Sequence, residues 1–204
     1  MTTVEHISSY SDYEARTRAI ETLLYERGVV TPSAVDAMVN EYENNLGPMR
    51  GAKVVARSWV DKDYRDWLLK DATAAIAEMG YAGEQAHQIA AVQNTPQVHH
   101  VVVCTLCSCY PWPVLGLPPA WYKSMAYRSR VVADPRGTLQ SDFGLEIPDD
   151  VDVQVWDSSS EIRYIVIPER PSGTEGWTEE QLADLVSRDS MIGVGNALTP
   201  AEVR

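Results

Sequence analysis

The stretch Val101–Tyr110 reads VVVCTLCSCY and holds all three cysteines of the chain, Cys104, Cys107 and Cys109. Its first part is β-branched and apolar, as a buried strand requires. Its second part is a C-x-x-C-x-C run, short enough for three sulfurs to converge on one point if the backbone curls. Curling also exposes the main-chain amides between the sulfurs. A structural zinc site wants a fourth side-chain ligand, usually from a distant Cys or His pair, and no other cysteine exists. His99 and His100 precede the run on a strand, where neighbours point to opposite faces, so at most one could face a metal. Both read as sheet-surface or hydrogen-bonded core histidines. A thioredoxin-like reading is disfavoured because Cys109 adds a third thiol and no strand-to-helix junction follows. A further option is that the main-chain nitrogens of Ser108 and Cys109 complete an in-plane donor set for a trivalent ion. One coordination position then stays open, as a catalytic metal needs. Thiolates select transition metals over magnesium or calcium.

Outward from this stretch, VHHVVVC, VDVQVW and RYIVIP are strand-like, so the part of the chain after Gly80 is expected to contain a sheet. DSSSE, Asp157 to Glu161, lies between two of these runs and reads as a hairpin connection. The segment PWPVLGLPPAWY carries four prolines and can be neither a regular helix nor a central strand. It is expected to form a rigid, irregular wall, with Trp112, Trp121 and Tyr122 as core or wall aromatics. Arg128 and Arg130 are read as partners for acids. Before Gly80 the pattern is helical. One helix is predicted from about Ser11 to Arg27, with Ala19, Ile20, Leu23 and Leu24 on one stripe and Gly28 as its C-terminal cap. Thr31-Pro32 opens a second helix that runs to Gly47-Pro48. Further helices follow from about Gly51 to Trp59 and from Asp61 through Ala77. Near the end, Thr178 and Gln181 form a capping box ahead of Leu182, Leu185 and Val186. The expected organisation is a helical, partner-packing arm over 1–80 and an α+β domain over 81–204.

At 204 residues with a formal charge of -12, the chain is long enough to bury its own core. Its acidity argues against nucleic acid or an anionic membrane surface. The N-terminus carries acids where a signal peptide would carry an apolar run, and no run approaches the roughly 18 apolar residues of a membrane span. A cytoplasmic location is expected. Three clustered thiols cannot make a disulfide framework, so they read as metal-binding or redox-active.

The run VCTLCSCYPWPVLGLPPAWYKSMAYRSRVV resembles the α-subunit signature of nitrile hydratases, metalloenzymes that hydrate nitriles to amides. The resemblance extends through YENNLGPMRGAKVVARSW, VWDSSSEIRYIVIPERPSGTEGW and SRDSMIGV. Thr105 and Tyr110-Pro111 resemble the cobalt branch, which implies Co(III), one per chain, rather than Fe(III). Several further expectations follow from the resemblance alone. The fold is a layered α-β-β-α domain with a metal-claw loop, preceded by an arm that reaches over a β-subunit in an αβ heterodimer or α2β2 tetramer. Cys104, Cys107, Ser108 and Cys109 are the metal ligands, with Cys107 a sulfinic acid and Cys109 a sulfenic acid, and a cobalt-loading activator protein is required. Cys109 and Gln85 are the catalytic candidates, and Thr105, Asp157 and Glu161 lie behind the ligands. The substrate is a small nitrile, attacked by water or by the Cys109 sulfenate itself. Two other readings stay open: the metal-bearing subunit of thiocyanate hydrolase, and a non-catalytic thiolate metal-binding or assembly protein with zinc and unmodified thiols.

Overall fold

The computed structural model describes residues 12–44, 46–81 and 88–203, with Glu43 and Asn44 described by backbone alone. Contacts divide the chain into two compact units, one ending at Glu41 and one beginning at Tyr42.

The first unit holds helix α1, Asp12–Glu26, and most of α2, Pro32–Asn44. Gly28, at a positive φ of 66°, ends α1, and the Thr31 hydroxyl accepts from the Ala34 amide at 3.2 Å, as the cap pattern predicts. No residue of α1 is buried. Ile20 and Leu23 on its stripe, and Met38 and Val39 on α2, are exposed. Hydrophobic burial drives helix packing, so this stripe is a face the chain itself leaves uncovered.

In the second unit come α3 (Met49–Val60), α4 (Lys62–Lys70) and α5 (Ala72–Glu78). The single helix expected from Asp61 through Ala77 is two helices. The Asp61 carboxylate accepts from Tyr64 N at 2.9 Å and starts α4, and that of Asp71 accepts from Ala74 N at 3.0 Å and starts α5. A short acid that bonds the backbone two or three residues on competes with helix continuation. These three helices belong to the same unit as the strands: α3 lies against the helix Glu179–Ala183, and α4 and α5 lie on the strand Gln88–Gln93.

The strands are β1 (Gln88–Gln93), β2 (Val98–Val103), β3 (Asp152–Asp157) and β4 (Ile162–Ile167). Both pairings are parallel: β1 with β4, Gln88 opposite Ile162, and β2 with β3, Val98 opposite Asp152. DSSSE is therefore not a hairpin, because β3 and β4 belong to different sheets. The reason is burial. Val101, Val102, Val103, Ile165, Val166 and Ile167 are all buried, and runs apolar on both faces need cover on both sides, as parallel strands have. β2 lies against β4, the helix Arg188–Ile192 against β2 and β4, and the helix Pro135–Phe143 against β3. The result is the layered α-β-β-α arrangement.

Between β2 and β3 the proline segment forms one helical turn, α6 (Trp112–Leu115), and one 3₁₀ turn, Ala120–Lys123. Val114, Leu115 and Tyr122 are buried, so this irregular wall is part of the core. Helices α7 (Met125–Ala133) and α8 (Pro135–Phe143) follow. Arg130 pairs with Asp142 at 2.8 Å, an exposed bridge worth about 0–1 kcal/mol; Arg128 keeps a buried Nε without a hydrogen-bond partner.

Arg136 on α8 does more. Its guanidinium donates to the carbonyls of Ile147, Pro148 and Val151 at 2.6, 2.8 and 2.7 Å, gathering the loop that feeds β3. Arg136→Ala is expected to cost about 2–4 kcal/mol of unfolding free energy, read by urea denaturation, because three acceptors lose a charged donor at once.

The chain closes with α9 (Glu179–Ala183) and α10 (Arg188–Ile192). The Thr178–Gln181 capping box is present, and Leu182, Leu185 and Val186 are buried as expected. Among the described residues no helix is long and apolar enough to cross a membrane.

Candidate metal centre

The end of β2 delivers Cys104, with its side chain fully buried, directly after Val103. The chain then turns so that the three sulfurs lie within 4.8 Å of one another. Cys104 Sγ is 3.6 Å from Cys107 Sγ, which is 3.2 Å from Cys109 Sγ. The Cys107 amide donates to Cys104 Sγ at 3.3 Å. Metal–sulfur bonds of ~2.3 Å place sulfurs about 3.3 Å apart at a right angle and about 3.8 Å apart at a tetrahedral angle. The separations of Cys107 Sγ from its two neighbours, 3.6 and 3.2 Å, lie close to those values, so the three sulfurs could hold one ion.

The electrostatics differ along the loop. Cys107, exposed, is brought down to about 7, chiefly by the hydrogen bond from the Cys109 thiol and then by the Ser108 amide. Cys109, buried, is pushed up to about 12, first by desolvation and then by its place beside Cys107. Thiolate is the form that binds metal, and the exposed end of the claw ionises first. Leu106, 88% exposed, marks the tip of the loop as open.

Two supports reach the loop from outside. Because Val103 and Asp157 are register partners, the Asp157 carboxylate meets the start of the claw. Its Oδ1 accepts from Thr105 N at 2.9 Å and its Oδ2 from the Thr105 hydroxyl at 2.6 Å. Ser158 N then donates to Val103 O at 2.7 Å, extending the pairing by one residue. On the other side the Tyr122 hydroxyl donates to Cys109 O at 3.0 Å, and the Tyr127 hydroxyl to Val102 O at 2.7 Å.

Cys104, Thr105, Cys107, Ser108, Cys109 and Asp157 are thus brought together. Glu161 is not joined to them by any hydrogen bond among the described residues. It precedes β4, where its main-chain carbonyl accepts from Gln88 N at 3.1 Å. Gln85 lies outside the described residues. His99 is buried, with Nε2 on Gly193 O at 2.7 Å and Nδ1 on Asn94 Nδ2 at 3.2 Å. His100 Nδ1 accepts from Trp156 Nε1 at 2.9 Å. Both are hydrogen-bonded sheet histidines, as the strand geometry suggested. Sequence reasoning missed the hydroxyls of Tyr122 and Tyr127, whose partners are main-chain carbonyls.

Three sulfurs within 4.8 Å of one another at one loop, with an exposed tip, form a thiol cluster that could hold a metal ion. The sequence model of the family described as nitrile hydratase, alpha chain, matches residues 11–195. Over 199 residues the chain is 76% identical to the high-molecular weight cobalt-containing nitrile hydratase subunit alpha of Rhodococcus rhodochrous, covering 98% of each. It is 40% identical to the thiocyanate hydrolase subunit gamma of Thiobacillus thioparus over 200 residues, 92% of this chain and 81% of the other. A solved structure of a double mutant of the Fe-type nitrile hydratase from Comamonas testosteroni Ni1 superposes with a TM-score of 0.86 at 36% identity, covering 95% and 94%. The chain belongs to the nitrile hydratase α-chain family.

Proposed function

We propose that this chain is the metal-bearing α-subunit of a cobalt-type nitrile hydratase, which adds water to a nitrile to give the amide. The observation that carries the reading is the convergence of the Cys104, Cys107 and Cys109 sulfurs within 4.8 Å, in a chain 76% identical to a cobalt-containing subunit. The three sulfurs and the main-chain nitrogens of Ser108 and Cys109 would hold Co(III). When bound, the ion supplies Lewis-acid polarisation of the nitrile carbon.

The remaining work falls to the chain's own groups. Asp157 fixes Thr105 and with it the entry of the loop. Cys107 as sulfinic acid and Cys109 as sulfenic acid present oxygens that accept charge-assisted hydrogen bonds from arginines of a β-subunit. The Cys109 oxygen orients the attacking water or is itself the nucleophile, and Gln85 is a second catalytic candidate on the strength of the family resemblance. The uncovered stripe of α1 and α2 is read as the arm that packs on the β-subunit, in an αβ heterodimer that pairs to α2β2. Cobalt loading by an activator protein and a cytoplasmic location complete the reading.

The test is metal analysis and intact mass of the complex purified with its co-expressed partner. Cobalt near one per α-subunit and about three added oxygen atoms, two on a sulfinate and one on a sulfenate, are expected, together with turnover of acrylonitrile. Zinc with unmodified thiols would overturn it, and turnover of thiocyanate without nitrile turnover would move the assignment to thiocyanate hydrolase.

Asp157→Asn in the same complex keeps one acceptor oxygen and loses both the charge and the second one. Its metal content under limiting cobalt is expected to fall about tenfold in apparent affinity, as for other partners that orient metal ligands.

A further inference from the structure

We propose that Tyr122 is a positioning residue for the metal claw, setting the place of the Cys109 main chain through its hydroxyl. The inference rests on the reading of the claw as a metal centre. Among the described residues, the hydrogen bonds that reach Thr105–Cys109 from beyond the adjoining Cys104 are those of Asp157 to Thr105 and that of Tyr122 to Cys109 O. Asp157 holds the entry and Tyr122 the exit. The loop between them has no strand partner, so a shift at either end moves the sulfurs relative to one another.

Tyr122 is built for the task. Its side chain is fully buried, and its ring is wedged edge-on against Tyr110 at 5.1 Å and Trp121 at 6.0 Å. A ring held on two sides keeps its hydroxyl on one line. The Tyr122 hydroxyl directs its proton at Cys109 O at 3.0 Å.

Tyr127 provides a matched contrast. Its hydroxyl also donates to a main-chain carbonyl, that of Val102, but Val102 lies inside β2 opposite Trp156. The β-ladder fixes Val102 with or without Tyr127. No ladder fixes Cys109.

The test compares Tyr122→Phe and Tyr127→Phe in the co-expressed complex by thermal melting, cobalt content, the sulfur-to-cobalt charge-transfer absorption, and kcat and KM for acrylonitrile. Both variants are expected to melt lower than the parent. Only Tyr122→Phe is expected to shift the charge-transfer band and to lower cobalt loading or kcat about ten- to a hundredfold, with KM changed less than kcat. In the metal-free complex, alkylation of Cys109 by iodoacetamide, followed on the claw peptide by mass, is expected to quicken about tenfold in Tyr122→Phe and to stay unchanged in Tyr127→Phe. An unchanged band, loading and alkylation rate in Tyr122→Phe would overturn the proposal, as would equal changes in both variants. Absence of cobalt from the parent complex would overturn the reading of the site instead, and the alkylation comparison would then decide the role of Tyr122 on its own.

Discussion

Cys107→Ala is expected to give a folded complex that carries less than about a tenth of the parent's cobalt and turns over nitrile at least about 10³-fold more slowly. Cys107 is the hinge of the donor set: it takes part in both short sulfur contacts, 3.6 Å to Cys104 and 3.2 Å to Cys109. Removing it leaves two sulfurs that make no short contact with a common partner. The rate term follows from the chemistry, since Lewis-acid polarisation is worth several kcal/mol and each ~1.4 kcal/mol is tenfold. Cys107 is also the informative cysteine to replace. Its side chain is exposed, whereas Cys104 is fully buried, and a buried truncation confuses loss of packing with loss of a ligand. An unchanged melting temperature with lost cobalt would isolate the ligand role; full cobalt in Cys107→Ala would remove Cys107 from the site. Ser108→Ala is the companion measurement. It deletes a hydroxyl and leaves the main-chain nitrogen in place, so cobalt content is expected to stay within about twofold of the parent.

How much of this was legible in the sequence depends on the range of each interaction. The claw is local: three cysteines in six positions can converge whatever surrounds them. The helix caps at Thr31 and Thr178 were legible for the same reason, and the caps at Asp61 and Asp71 carry the same chemistry, although the helical pattern runs straight across Asp71. Strand pairing is not local. VDVQVW and RYIVIP are separated by the five polar residues of DSSSE and Ile162, which on spacing alone favours a hairpin, and only the two-sided burial of β2 and β4 sends β3 and β4 to different sheets. Asp157 is the clearest instance. In the sequence it opens a polar turn, and in the fold the parallel register with Val103 sets it beside Thr105. The hydroxyls of Tyr122 and Tyr127 bond main-chain carbonyls, which have no sequence identity, so no pattern of residue types could have announced them.

The second large effect lies away from the claw, at Gly193. This residue caps α10 with φ +86°, and its amide donates to Asp189 O at 3.0 Å. An added Cβ would stand 1.9 Å from the His100 carbonyl oxygen and 2.9 Å from Val101 Cα. The obstacle is backbone of β2, which cannot rotate aside as a side chain could. A left-handed conformation costs a residue with a Cβ roughly 1–2 kcal/mol, and overpacking a rigid contact typically costs a further 1–3 kcal/mol. Gly193→Ala is therefore expected to lose about 2–5 kcal/mol, a large share of the 5–15 kcal/mol that holds a typical domain. Gly144 separates the two terms, because it caps α8 at φ +68° with nothing within 4 Å of its virtual Cβ. Gly144→Ala is expected to lose only the conformational part, about 1–2 kcal/mol. Urea unfolding of both variants checks the difference, and equal losses would refute the contact with β2. The consequence for the claw follows from connectivity. Gly193 O also holds His99 Nε2 at 2.7 Å, so displacing Gly193 disturbs β2 at His99, His100 and Val101 together. Cys104 begins immediately beyond Val103, and a strand shifted at its middle cannot present Cys104 in register with Asp157. Gly193→Ala is accordingly expected to lower cobalt loading along with stability, whereas Gly144→Ala is expected to leave loading unchanged.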